Sequence, residues 1–255
     1  MKSKLGMAVT LGLLATGAFA SSAHAQCGQT GAPMIEFDTN TFAYETNYNP
    51  ATFNSVIGSQ LTVVGKITLF CQPFQDLDAQ DPSKEYTLVF AGLVSNGTVT
   101  TPYFVTGTKY VTSYSGGSFI IYEDTTPDAP TLATLAPNPP NAQVPARFAD
   151  GTVILSGTLS NFVTTVRELP GGPPNQYTHE FDADFQFTGP PAGTYFVRVQ
   201  GTGLGNLFGT WCPNGSGNGL CILPAGYSAQ PNGEFGNPPT AVQSSTWGTI
   251  KQLYR

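Results

Sequence analysis

Residues 109–124, KYVTSYSGGSFIIYED, are the stretch that decides the predicted fold of this 255-residue chain. The flanks at 109–114 and 118–123 are rich in Tyr, Val, Phe and Ile, which suit the half-buried surface of a β-strand. Between them lies the segment Ser115-Gly116-Gly117, and glycine tolerates the positive φ that a tight turn requires. We therefore predict two antiparallel strands joined by a hairpin.

Similar β-rich runs, separated by Gly, Pro and Asn, extend in both directions from this stretch. Before it, residues 60–70 and 86–95 are predicted strands, and Asn96-Gly97 is the predicted turn after the second one. After a proline-rich loop, the clearest strand spans 177–188, where apolar and polar residues alternate with period two. Its predicted partner is the run at 193–200.

These features predict a single all-β domain over residues 26–223, most simply a mainly antiparallel two-sheet β-sandwich of the jelly-roll or Ig-like type. Residues 224–243 are rich in Gly, Pro and Asn and are predicted to be a linker. The tail at 244–255 is predicted to form a short helix whose apolar face consists of Trp247, Ile250, Leu253 and Tyr254. Such a helix would either cap the sandwich or serve as a recognition segment for a partner.

The N-terminal segment has the features of a secretory signal peptide. Lys2 and Lys4 precede an apolar run at 5–20, which is too short to span a membrane, and the motif A-H-A at 23–25 supplies the small residues of a cleavage site. We predict that residues 1–25 are removed by cleavage before Gln26. The mature protein is then secreted and lies in the extracellular space or on the cell surface.

The mature chain is acidic and carries few charges. Residues 1–25 contain two of the ten basic side chains and none of the 16 acidic ones, so the mature chain has a net charge of −8. This balance argues against nucleic acid or an anionic membrane surface as a partner. No later segment is apolar for long enough to cross a bilayer. Cell-surface components and glycans remain the predicted partners, and the sequence does not determine the oligomeric state.

Four cysteines remain after cleavage, and an even number in an exported chain predicts two disulfides with three possible connectivities. We favour Cys27–Cys71, which would tie the new N-terminus to the end of a strand, and Cys212–Cys221, which would close a Gly-rich loop. A metal site is the alternative, but no histidine or second cysteine lies at ligand spacing.

Two stretches resemble parts of secreted bacterial β-rich proteins that have no assigned function. They are Y-S-G-G with I-Y-E-D in residues 114–124, and the ending W-G-x-I-K-x-L-Y-R. The resemblance implies an exported protein of the cell surface or extracellular space. It implies no reaction and no site residues.

The run E-F-D-A-D at 180–184 places three carboxylates on one side of a strand, with successive ones about 6–7 Å apart. It resembles the E-x-D-x-(x)-E strand motif of laminarinase-type jelly-roll glycoside hydrolases. The resemblance implies that Glu180 is the nucleophile, Asp182 its helper and Asp184 the acid/base. Asp184 replaces the expected glutamate, however, and the chain has only two tryptophans, whereas sugar clefts of that family are rich in them. A solvated strand face is the alternative interpretation.

Calcium is the one cofactor that the sequence suggests, because clustered carboxylate oxygens suit a hard cation. The first candidates are Asp76, Asp78 and Asp81, although they lack the glycine and the distal glutamate of an EF-hand loop. The second candidates are Glu123, Asp124 and Asp128, at the start of the proline-rich loop. An ordinary charged turn is the alternative in both places.

Four tyrosines could bind a glycan by stacking, although tyrosine is equally common in strands: Tyr103, Tyr110, Tyr114 and Tyr122. His179 is the only histidine left after cleavage, and the alternation of its strand places it on the inward side. A Ser-His-Asp or Cys-His catalytic centre is therefore hard to assemble from these residues. No P-loop, dinucleotide fingerprint or HExxH motif occurs.

The leading functional prediction is thus a secreted, non-enzymatic structural or adhesive protein. A carbohydrate-binding module is the alternative. A jelly-roll glycoside hydrolase that uses Glu180 and Asp184 is the second alternative.

Overall fold

The computed structural model describes residues 27, 32–38, 40–104, 106–134, 146–168, 177–190, 193, 195–213, 223 and 226–236. The regular secondary structure of these ranges is almost entirely β-strand, which confirms the predicted all-β class. The strands are β1 (Ile35–Phe37), β2 (Phe42–Glu45), β3 (Tyr48–Asn49), β4 (Asn54–Ser55), β5 (Gln60–Phe70), β6 (Glu85–Tyr103), β7 (Gly107–Ser115), β8 (Ser118–Asp124), β9 (Thr152–Glu168), β10 (Tyr177–Gly189), β11 (Gly205–Pro213) and β12 (Ala229–Phe235). Two single 3₁₀ turns, Ala146–Phe148 and Phe196–Arg198, are the helical elements of the described chain.

Ten of these strands form one antiparallel sheet, and β3 and β4 form a separate two-stranded sheet. The large sheet closes on itself, because β5 pairs with β6 and β1 pairs with both β5 and β12. The ring of neighbours runs β5-β6-β7-β9-β10-β11-β12-β1 and returns to β5. Antiparallel pairing is therefore confirmed throughout.

The core lies inside this closed sheet and is made largely of aromatic rings. Phe37 on β1 contacts Phe90 on β6 with ring centroids 5.8 Å apart, although these strands are not paired with each other. Phe119 on β8 contacts Phe235 on β12 in the same way, at 5.1 Å. Opposite parts of the sheet thus pack face to face over the main hydrophobic core, and a second, smaller cluster includes Phe42, Val64 and Phe148.

The stretch at 109–124 is not a hairpin, and this prediction is wrong. β7 and β8 do not pair with each other, and both pair with β6 on one side and with β9 on the other. Ser115 lies opposite Val94 and Ser118 lies opposite Ala91, so β7 and β8 are two parts of one interrupted strand. The hairpin of this region is β6–β7, and its chain reversal lies between Tyr103 and Gly107.

The interruption is part of a bend that crosses neighbouring strands. Gly116 and Gly117 have φ of 70° and 112°, and Gly92 on the adjacent β6 has φ of 74°. Pairing also shifts register in β5 after Leu61 and in β10 after Asp182. β-Bulges bend strands and increase their twist, so this line of irregularities helps the sheet to close. Glycine supplies positive φ to bulges and to turns alike, which explains why the sequence pattern predicted a turn.

Three further predictions are wrong for related reasons. The pair Asn96-Gly97 lies inside β6, where the pairing with β7 shifts register between Ser95 and Thr98. The run at 193–200 contains a 3₁₀ turn, and the partner of β10 is β11 instead. Residues Ala229–Phe235, assigned to a linker by their composition, form β12 and bury every second residue. The linker residues that flank β12 and the predicted tail helix lie largely or wholly outside the described residues.

Two long strands match their predictions closely. β5 has the predicted bounds, and β10 extends the predicted strand by one residue while burying Phe181, Ala183, Phe185 and Phe187 as the alternation requires. The disulfide Cys27–Cys71 is confirmed, with Cα atoms 5.0 Å apart at the end of β5. Cys212 is also disulfide-bonded, and its predicted partner Cys221 lies outside the described residues.

Candidate functional site

A shallow groove of about 590 Å³ lies over β10 and β11. The register of the two strands explains its lining, because Glu180 lies opposite Thr210 and Asp182 lies opposite Phe208. The residues that line it are His179, Glu180, Phe181, Asp182, Asn206, Phe208, Gly209 and Thr210. The outward-facing side chains of the groove therefore combine carboxylates, an amide, a hydroxyl and one exposed aromatic ring.

Strand alternation directs the side chains of Glu180, Asp182 and the three β11 residues outward, whereas His179 is in phase with the buried residues of β10. On β11, Leu207 and Trp211 point into the core, so Asn206, Phe208 and Thr210 lie on the opposite face. Phe208 is 39 % exposed, which is unusual for a phenylalanine in a chain that buries most of its aromatic rings. Residues 205–213 were not predicted to form a strand, and this part of the site was missed for that reason.

Each carboxylate of the run at 180–184 is held by a neighbouring side chain. Glu180 forms an ion pair with Arg167 on β9, and the hydrogen bond from this guanidinium holds the pKa of Glu180 below its usual value. Asp182 accepts a hydrogen bond from Asn206 Nδ2 at 3.0 Å, and Asp184 accepts one from Asn161 Nδ2 at 2.7 Å. The structure thus brings Glu180 and Asp182 together in the groove, while Asp184 lies on the same strand but is not among the lining residues.

A row of acidic side chains continues the site across the sheet. Phe208 lies opposite Glu234 on β12, and Glu234 lies opposite Glu36 on β1. Burial raises the pKa of Glu234, and burial together with the charges of Asp38 and Glu234 raises the pKa of Glu36. Sequence analysis missed this row because it depends on strand pairings between the two ends of the chain.

His179 lies on the inward-facing side of β10, as predicted, and the residue also borders the groove. Its Nε2 atom is buried and has no hydrogen-bond partner within the described residues. Burial lowers the pKa of His179, so the ring is neutral at neutral pH.

The first calcium candidates are engaged in separate contacts. Asp76 binds the guanidinium of Arg198, with Oδ2 2.8 Å from one nitrogen, and this hydrogen bonding lowers the pKa of Asp76. Asp78 accepts the backbone N–H of Gln80, while Asp81 accepts the N–H and hydroxyl of Ser83. The contacts of Asp78 and Asp81 are hydrogen bonds of ordinary turns, whereas Asp76 pairs with a distant arginine, and calcium binding here stays a prediction.

Of the second calcium candidates, Asp124 and Asp128 lie close together and Glu123 does not join them. Carboxylate oxygens of Glu85, Asp124 and Asp128 lie within 4.8 Å of one another, whereas Glu123 bonds Lys84 and Tyr86 instead. Glu85 is already compensated, since Oε2 lies 2.7 Å from Lys66 Nζ and Oε1 accepts the N–H groups of residues 128 and 129. This arrangement anchors the loop after β8, and calcium binding there stays a prediction.

The four tyrosines do not form one stacking platform. Tyr114 is buried and donates a hydrogen bond to Glu45 Oε2 at 3.0 Å, so it is not available to a ligand. Tyr103 and Tyr110 lie on opposite faces of the β6–β7 hairpin, because Tyr103 pairs with Gly107 and Tyr110 with Thr100. Tyr110 packs against the buried ring of Phe53, and Tyr122 is half-buried on β8.

The remaining predicted site residues, Trp247, Ile250, Leu253 and Tyr254, lie outside the described residues. No helix in the described part of the chain has the length and hydropathy needed to cross a bilayer. No known protein family, curated protein or solved structure matches this chain.

Proposed function

We propose that this chain is an exported, non-enzymatic structural or adhesive protein that binds a saccharide in the groove over β10 and β11. The observation that carries the proposal is the exposed ring of Phe208 among polar side chains with fixed hydrogen bonds. Sugar recognition commonly combines an aromatic face, which stacks on the apolar side of the sugar ring, with a few oriented polar groups.

The state of the carboxylates supports binding over hydrolysis. A glycosidase needs one carboxyl group with a raised pKa as general acid, close to a second, ionised carboxylate. Arg167 instead stabilises the ionised form of Glu180, and Asp184 is tied to the Asn161 amide. The groove is also open, so it offers little of the desolvation that raises the pKa of a catalytic acid.

Two further parts of the proposal concern location and architecture. The disulfide-bonded cysteines support export, because disulfides persist in oxidising compartments.

The bend that crosses the neighbouring strands supports a flattened, two-layered arrangement of the closed sheet, which is the sandwich that the sequence predicted. Mass spectrometry of the exported protein tests the location: we expect it to begin at Gln26, and an intact N-terminus in the cell would contradict export.

The saccharide proposal is tested on a glycan array and by titration of the best ligand. We expect Phe208→Ala to weaken binding about tenfold or more, and Phe208→Trp, which keeps an aromatic face, to retain it. Val153→Ala is a matched control, because Val153 is 38 % exposed and Phe208 is 39 % exposed, and Val153 lies at the opposite end of β9 from the groove. Melting curves establish that each variant is folded.

Two results would overturn the proposal: folded protein that binds no glycan, or binding that Phe208→Ala leaves unchanged. Incubation with β-glucans, beside Glu180→Gln, separates binding from hydrolysis. We expect no product from either protein. Product from the wild type alone would support the glycoside hydrolase instead.

A further inference from the structure

The exposed ring of the groove has a carboxylate on each side. Asp182 on β10 and Glu234 on β12 lie directly opposite Phe208 in the two ladders of β11. Directly opposed residues in antiparallel strands have Cβ atoms about 4.5–5.5 Å apart. Two carboxylates therefore border one aromatic face, and this composition suits a cation that is also partly apolar.

The nearby basic side chains act on a different carboxylate. Arg167 forms its ion pair with Glu180, and Lys109 lowers the pKa of the same group. The hydrogen-bond partner of Asp182 is the neutral amide of Asn206, and no ion pair reaches Asp182 or Glu234 within the described ranges. The surface on both sides of Phe208 is therefore negative and lacks a counter-ion from this part of the chain.

The remaining groups of the groove suit a sugar more than a simple cation. Thr210 and Asn206 offer a hydroxyl and an amide on the same outward face as Phe208. A protonated amine attached to a sugar ring would place its charge between the two carboxylates. The ring and its hydroxyl groups would then meet the aromatic face and the polar side chains.

From this arrangement we infer that the groove selects saccharides with a free primary amine, such as glucosamine oligomers, over their N-acetylated or neutral counterparts. The inference rests on the proposed saccharide binding and adds the class of sugar. An ammonium group is attracted both to carboxylates and to the face of an aromatic ring. Acetylation removes the charge and thereby removes both attractions.

The test is calorimetric titration of the exported, full-length protein with glucosamine oligomers and with N-acetylglucosamine oligomers of the same length. The titrations are run in both neutral and mildly acidic buffer, because low pH protonates the amine while the raised pKa of Glu234 favours loss of its charge. We expect the amine form to bind about tenfold more tightly, which corresponds to about 1.4 kcal/mol. The double variant Asp182→Asn/Glu234→Gln should abolish this preference while keeping the weaker affinity for the neutral oligomer.

Asp78→Asn/Asp81→Asn is the control, because it changes the net charge by the same amount in the turn before β6. We expect it to keep the preference. Equal affinity of the wild type for both oligomers overturns the inference but leaves saccharide binding intact. Absence of binding to every saccharide overturns the proposed function as well. Equally tight binding of oligolysine shows that the surface recognises amines in general, and this result also overturns the inference.

Discussion

At the residue scale, the most unusual group is the carboxyl of Glu45 at the end of β2, which is buried without a cation among its described partners. Its oxygens accept hydrogen bonds from Ser55 Oγ and from Tyr114, and Ser55 Oγ lies 2.6 Å from Ser95 Oγ. Burial raises the pKa of Glu45, although these hydrogen bonds partly oppose the effect. The titratable groups that face it are the hydroxyls of Tyr114 and Tyr48, and the pKa of each is raised by burial and by the charge of Glu45.

This environment predicts a distinct pH dependence. Because the folded-state pKa of Glu45 is above the unfolded value of about 4.5, its contribution to stability is fully present below that value. The contribution is lost as the pH rises through the folded pKa. Replacing Glu45 with Gln removes the proton equilibrium and should flatten this part of the pH profile. Urea unfolding of both proteins from acidic to neutral pH measures the difference, and parallel profiles would contradict the assignment.

At the scale of elements, β10, β11 and β12 pack closely because of two glycines. Gly209 and Gly233 lie opposite each other, and the ring of Phe181 lies against both. A Cβ atom at Gly209 would lie 2.1 Å from Asn232 O and 2.8 Å from the Phe181 ring. The Phe181 ring in turn stacks on Phe162, with centroids 5.7 Å apart, so it cannot move away freely. The strands beneath the groove are therefore tightly packed.

Gly209→Ala should therefore destabilise the protein by about 1–3 kcal/mol, which is the usual cost of overpacking. Gly203→Ala is the matched control, because no atom lies within 4 Å of the added methyl group. Its effect should be within about 0.5 kcal/mol, as for other surface substitutions. Chemical unfolding measures both changes. Equal midpoints for the two variants would show that the space between β11 and β12 accommodates a methyl group at position 209.

At the scale of the whole molecule, closure gives the described strands of the large sheet neighbours on both sides. Every strand of the large sheet has a partner on each side over at least part of its length. Free edges favour association between chains, and this closure disfavours assembly through strand pairing. Adhesion would then depend on faces, loops or the tail. The proposed groove is such a face.

The described residues complete this ring without the C-terminal tail. We therefore expect deletion of residues 244–255 to leave the melting temperature unchanged and to reduce association with cells, as a recognition segment requires. Thermal unfolding and a cell-fractionation assay measure the two effects. A large loss of stability with unchanged location would instead identify the tail as a structural cap.

Prediction from sequence succeeded for properties that depend on the residues of a single strand. The alternation in β10 predicted that Phe181 faces the core and Glu180 faces away from it, and the bounds predicted for the β-rich run of β5 matched the structure. Prediction failed for residues whose environment is formed by strands that are distant in sequence. Glu234 and Glu45 gave no local signal, because their neighbours come from separate parts of the chain.

Among three possible disulfide connectivities the sequence only favoured Cys27–Cys71, but it did by itself determine the all-β class and the inward-facing side of the clearest strand. These properties depend on side-chain periodicity and composition, which are local or nearly so. Only the tertiary structure decided that β7 and β8 are one bent strand, that Ala229–Phe235 joins the sheet and that acidic groups border Phe208. Strand partners are selected by the free energy of packing the whole core, and a glycine pair permits a turn and a bend equally well.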